Sequence, residues 1–168
     1  KDFVINDKSY ELANQFWPGP LTLILEKKET SNISPILSNH KKFVACRIPK
    51  HPTAQKLLQN LEFPIAAPSA NISTKLSSTR IIHLSKKLKD NIFILDGGKS
   101  FYGLESTIIN ACNGNPKILR LGSITLEVIE KIIPNIILEN HSNFSNLSPG
   151  QQIKHYSPNL PLRINVYS

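Results

Sequence analysis

The sequence has no methionine, only two cysteines, one tryptophan and no long apolar run, and each shortage removes a class of protein. Without methionine, Lys1 is not a translation start, so the chain is expected to be a processed product or an internal piece of a longer one. Cys46 and Cys112 lack neighbouring cysteines or paired histidines, which argues against a zinc spacing or a disulfide framework and leaves two buried thiols. No window approaches the ~18 to 20 uninterrupted apolar residues of a membrane span, and residues 1–8 lack the apolar run of a secretion signal. The expected address is therefore the cytoplasm, with no membrane partner. Acidic side chains are scarce too: 12 Asp and Glu against 20 Lys and Arg give a net charge of +8, which favours polyanions such as RNA or nucleotides. The lysine pairs at 27–28, 41–42 and 86–87 read by themselves as solvated faces.

What remains is a chain of 168 residues, 40% hydrophobic, enough for one real core. Apolar residues Leu12, Ala13, Phe16 and Trp17 share one helical face, and Pro18 stops that helix at a Pro-Gly-Pro turn. Residues 21–25 and 43–48 read as strands, the second ending in Arg47, Ile48 and Pro49, with Arg47 where strand gives way to loop. Pro52 opens a helix with Ala54, Leu57, Leu58 and Leu61 at helical spacing, which leads to an expected strand at 65–67 and so to a strand–helix–strand unit. That strand breaks at Pro68 into Ser69, Ala70 and Asn71, a small polar loop where a ligand can approach the backbone. A weaker helix is expected over 80–89 and a buried strand over 92–95.

Asp96, Gly97, Gly98, Lys99 and Ser100 superficially match the end of a phosphate-binding P-loop. That motif needs a glycine five places before its second glycine, and position 93 is Phe, so the glycines read as a turn instead. Residues 106–110 and 117–121 flank the turn Asn113, Gly114, Asn115, Pro116 and form an expected antiparallel pair, with Arg120 near the end of the second strand. A helix follows with its stripe at Ile124, Val128, Ile129, Ile132 and Ile133, closed by Pro134. Beyond Glu139 the composition turns polar, then rich in hydrogen-bond donors and aromatics around Lys154, His155 and Tyr156. The expected division is a catalytic domain over 1–139, a linker over 140–159 and the start of a further domain over 160–168.

Four ordered segments, FWPGPLTLIL (16–25), Arg47 through PSAN (68–71), GLEST (103–107) and SPGQQIKHYSP (148–158), together resemble the YrdC-like threonylcarbamoyl-AMP synthases, the last being similar to the linker of their two-domain members. The resemblance implies an α/β fold: an open, twisted, mixed sheet with surrounding helices and a central cleft. It also implies synthesis of threonylcarbamoyl-AMP and pyrophosphate from L-threonine, bicarbonate or carbon dioxide, and ATP with Mg²⁺. Partner proteins would then pass the threonylcarbamoyl group to tRNA. By position, Ser69, Asn71, Ser77, Arg120 and Tyr156 are the implied ATP contacts, and Arg47, the Ala67 backbone and Ser106 the implied threonine contacts. No nucleophilic side chain or protein-held metal is implied. Read from the residues alone, Arg47 and Arg120 are equally strand-end surface arginines, Ser77 and Ser106 turn residues, and Tyr156 a packing anchor. Glu105 is as well explained by local backbone bonds as by magnesium, and stays outside the expected site.

Family members also carry an N-terminal motif segment with a Lys and Arg pair for the triphosphate, which this sequence lacks, and a small polar residue where Phe43 stands. The 168 residues alone are therefore expected to be inactive. The competing readings are a double-stranded RNA or tRNA-binding module, or an inactive remnant of such an enzyme.

Overall fold

The apolar run that begins at Leu21 reads as continuous because it is a strand with a core on each side. In chain order the elements of the computed structural model are β1 (Phe3–Val4), α1 (Asp7–Phe16), β2 (Leu21–Lys27), β3 (Phe43–Cys46), α2 (Pro52–Gln59), α3 (Lys86–Lys89), β4 (Thr107–Asn110), β5 (Lys117–Arg120), α4 (Leu126–Glu130) and β6 (Ile137–Leu138). The structure describes residues 1–38, 41–71 and 76–139, so the expected linker, the expected further domain and Tyr156 lie outside the described residues.

The strands form one six-stranded mixed sheet with β2 at its hub. Strand β3 pairs antiparallel with β2, and β4 pairs parallel with it. Glu26 is the register partner of both Val4 and Phe43, so β1 and β3 lie on opposite edges of β2. The β4–β5 hairpin forms as expected around Gly114, whose φ of 72° is one that side chains resist, and β6 adds in parallel to β5. Strands β1 and β6, two residues each, are too short for periodicity to reveal.

Alternation along the strands sorts the core into two faces of unequal depth. Leu21, Leu23 and Leu25 of β2 join Leu12 of α1, Ile109, Ile118, and the stripe Ile124, Ile129, Ile133 and Ile136 in the larger cluster. On the other face only Ile24, Ile108 and Leu119 are buried together, with Phe43 and Cys112 against them. Helix α1 starts at Asp7 because Asn6 and Ser9 cap each other: the Asn6 side chain accepts from the Ser9 amide at 2.9 Å, and the Ser9 hydroxyl accepts from the Asn6 amide at 3.0 Å. Asn6 Nδ2 also donates to the Ala111 carbonyl at 2.7 Å, tying the helix to the end of β4.

Three expectations are corrected. Residues 65–67 and 92–95 form no strand, so the expected strand–helix–strand unit is not built: Phe63 is 65% and Phe93 90% exposed, and α2 buries no residue. An apolar run specifies burial but not a neighbour to pair with, and no ladder reaches either segment among the described residues. The helix expected over 80–89 splits into a 3₁₀ turn, Ile81–His83, and the short α3, because the Ser85 hydroxyl caps the Leu88 amide at 3.3 Å and restarts the chain. Helix α4 covers only part of its expected stripe, although Ile132 and Ile133 still donate to the Ile129 carbonyl at 2.9 Å and carry the burial onward.

Both cysteines are free and partly buried, as expected of packed thiols. Burial pushes the Cys46 thiol up to about 12, and burial with the Glu26 charge pushes Cys112 up to about 11. The folded chain thus holds protons that the unfolded chain loses above about pH 9. Stability from this source is complete below that pH and falls as pH rises toward 12. Denaturation midpoints measured across this window should decline, and less so in Cys46→Ala; an unchanged slope in that variant would count against the burial argument.

Candidate functional site

Alternation along the strands brings the site residues to one end of the thinly covered face. Thr22 lies two positions before Ile24, and Ser106 two before Ile108, so both side chains emerge on the face of the smaller cluster, just past its buried residues. They meet there: Thr22 Oγ1 and Ser106 Oγ are 2.7 Å apart. Arg47 follows β3 by one residue and continues the alternation of Phe43 and Ala45 toward the same face.

Arg120 reaches this face only because β5 is irregular. Counting by two from Ile118 would send Arg120 into the larger core. The register instead pairs Ile109 with Ile118 and Ile108 with Arg120, so Leu119 is an extra residue that resets the alternation. Arg120 Nη2 then donates to the Ser106 carbonyl at 2.8 Å and to its hydroxyl at 3.3 Å, with Nε on the same carbonyl at 3.2 Å. A planar fork is thereby clamped to Ser106, the residue just before β4.

Two close backbone approaches hold the frame. A Cβ on Gly19 would stand 2.1 Å from the Phe16 carbonyl oxygen, and Gly19 both accepts from Arg47 Nε at 2.9 Å and donates to the Ile48 carbonyl at 2.8 Å. The Pro-Gly-Pro turn therefore aims Arg47. At Gly122 a Cβ would stand 2.3 Å from the Glu105 carbonyl oxygen and 2.6 Å from Thr107 N. Beneath it the fully buried Thr107 hydroxyl donates to the Ile124 carbonyl at 2.7 Å and accepts from the amides of Gly122 and Ile124 at 3.0 and 3.2 Å. This pins the GLEST segment against the exit of β5.

The electrostatics are mixed. Burial lowers the Arg47 pKa, the Glu105 charge opposes it, and the smaller effect of the Arg120 charge lowers it further. The Ser77 hydroxyl donates to Glu105, and both line an open pocket of about 700 Å³ together with Thr79, His83, Ser100 and Gly103. Two guanidiniums, one carboxylate and three hydroxyls converging at the end of a sheet can bind phosphate or carboxylate oxygens and a small cationic group.

Of the expected site residues, Ser106 and Arg120 are in direct contact, and Arg47 is within their electrostatic range. Ser77 joins them through Glu105. Ala67 and Ser69 are exposed on the segment after α2, with no hydrogen bond to this group among the described residues; Asn71 is half-buried at the end of that segment. Thr22 was not foreseen. Its signal is a lone hydroxyl inside an apolar strand, at the parity of the face where the motifs converge.

Residues 1–122 match the family model described as Sua5/YciO/YrdC, telomere recombination. The chain is 41% identical over 162 residues to the threonylcarbamoyl-AMP synthase of Bacillus subtilis, covering 94% of this chain and 46% of that protein. It is 40% identical over 159 residues to the Pyrococcus abyssi enzyme of that name, covering 92% and 46%. Among solved structures, P. abyssi Sua5 complexed with L-threonine superposes with a TM-score of 0.79 at 38% identity, over 92% of this chain and 46% of that one. Escherichia coli YciO, at 20% identity and a TM-score of 0.65 over 76% of this chain and 62% of that one, shares the fold. The chain thus spans about half the length of the curated relatives named here.

Proposed function

Since this chain belongs to the Sua5/YciO/YrdC family, we propose that the protein works as an L-threonylcarbamoyladenylate synthase, a nucleotidyltransferase that forms threonylcarbamoyl-AMP and pyrophosphate from L-threonine, bicarbonate or carbon dioxide, and ATP. The observation that carries this reading is the convergence of Arg47, Ser106 and Arg120 at one end of the sheet, in a chain about two-fifths identical to enzymes of that name.

In this reading Arg47, Ser106 and the Ala67 backbone hold threonine, the arginine taking its carboxylate. Ser69, Asn71, Ser77 and Arg120 meet the nucleotide, with Tyr156 as a further ATP contact. The threonine amine captures carbon dioxide as a carbamate, whose oxygen attacks the α-phosphorus in line while pyrophosphate leaves. Such a transition state is helped by positioning and by charge on the phosphoryl oxygens, so no nucleophilic side chain is required. Among the described residues no three His, Cys, Asp or Glu side chains gather as a metal cage. Magnesium, bound with the triphosphate, would supply charge to the phosphoryl oxygens.

The product's use in tRNA threonylcarbamoylation, with partner proteins, follows from the same reading, and so does work in the cytoplasm. No helix among the described residues is long and apolar enough to cross a membrane. One feature favours direct RNA contact as a second property: Lys27, Lys28, Lys41 and Lys42, outnumbering Glu26 and Glu29, line an open groove of about 760 Å³ at the end of β2 away from Arg47.

The test of the main reading uses the full-length protein with threonine, bicarbonate, ATP and Mg²⁺. Pyrophosphate release should depend on threonine. ATP turnover indifferent to threonine would end the assignment.

A further inference from the structure

We propose that Glu105 is the partner of the substrate's ammonium group, and so the residue that makes the site select an α-amino acid over a plain hydroxy acid. The inference rests on the synthase reading above. It starts from a charge mismatch: a zwitterion presents one anion and one cation, yet Arg47 and Arg120 supply only positive charge to the converging residues. Glu105 supplies the complement. It is the carboxylate among the residues that line the 700 Å³ pocket, immediately before Ser106, and its charge is felt at Arg47.

The carboxylate is positioned. Its main-chain carbonyl accepts from the Ser123 amide at 3.2 Å, and the close approach of Gly122 fixes the backbone on that side. One carboxylate oxygen, Oε1, accepts from the Ser77 hydroxyl, a residue of the same pocket lining, which fixes the orientation of the group. An ionised carboxylate has about four acceptor sites, so a single hydroxyl leaves capacity for an ammonium ion. Among the described residues no two further His, Cys, Asp or Glu side chains join Glu105, and a lone carboxylate is a poor protein cage for a divalent cation, whereas a charge-assisted bond to an amine needs only one.

The experiment compares L-threonine with 3-hydroxybutyrate, its deamino analogue, in equilibrium binding to the full-length protein and its Glu105→Gln variant, with ATP binding measured alongside. Wild type should prefer threonine. In Glu105→Gln, threonine affinity should fall by about ten- to a hundredfold while affinities for 3-hydroxybutyrate and ATP hold. Glu105→Asp, which keeps the charge, should recover part of the preference. Equal losses for all three ligands, an unchanged preference in Glu105→Gln, or an Asp variant no better than Gln would each overturn the assignment. Wild type indifferent to threonine would instead overturn the synthase reading, and this inference with it.

Discussion

Arg120→Ala in the full-length protein should weaken ATP binding by about one to two decades and depress threonine-dependent pyrophosphate release at least as much. A charge-assisted hydrogen bond is worth about 1.5 to 3 kcal/mol, and each 1.4 kcal/mol is a decade. The variant loses more than a ligand contact, because the same fork clamps the Ser106 carbonyl at 2.8 Å and touches its hydroxyl. Arg120→Lys should not rescue, since an ammonium cannot present two parallel donors. Affinity for duplex RNA should barely change, because the lysine-lined groove sits at the other end of β2. Calorimetric titration reads both ligands, and Arg120→Ala with normal ATP affinity would remove this residue from the nucleotide site.

Gly122→Ala should cost about 3 kcal/mol or more, at the upper end of what overpacking does, because three backbone atoms rather than a movable side chain stand within 2.6 Å of the added carbon. For a domain of this size that is a fall of roughly 6 to 12 °C in midpoint. Gly98→Ala is the contrast: among the described residues nothing lies within 4 Å of the added Cβ, and the φ of 78° is the unfavourable feature, a cost nearer 1 kcal/mol. Thermal unfolding of the two variants should separate clearly. Equal midpoints would mean that the approach of Gly122 to the GLEST segment is looser than described.

The sequence made the arginines and serines visible as motif residues, and the β4–β5 hairpin visible through its Asn-Gly turn. It did not contain the means to put Arg120 beside Ser106. Strict alternation points Arg120 the wrong way, and the extra residue at Leu119 shows only in the register. Likewise Ile65 and Phe93 have the composition of strand residues, but pairing is a property of the neighbour as much as of the segment. The capping pair Asn6 and Ser9 was legible in principle, and extends α1 by local chemistry alone. By sequence alone Glu105 is a loop carboxylate with many local uses; its contact with Ser77, 28 residues away in the chain, is visible only in the fold.

The parallel pairing of β2 with β4 also has a kinetic consequence. The Thr22–Ser106 contact closes a loop of 84 residues, whereas β4 and β5 meet across a tight turn. Loop-closure entropy must be met before such distant contacts return anything, so local hairpins precede long-range parallel pairing. Arg47 and Thr22 belong to one locally connected group and Ser106 and Arg120 to the other. The two halves of the binding site are therefore expected to meet only when β2 docks on β4, and a chain stalled before that pairing would carry the Ser106–Arg120 half without the Arg47 and Thr22 half.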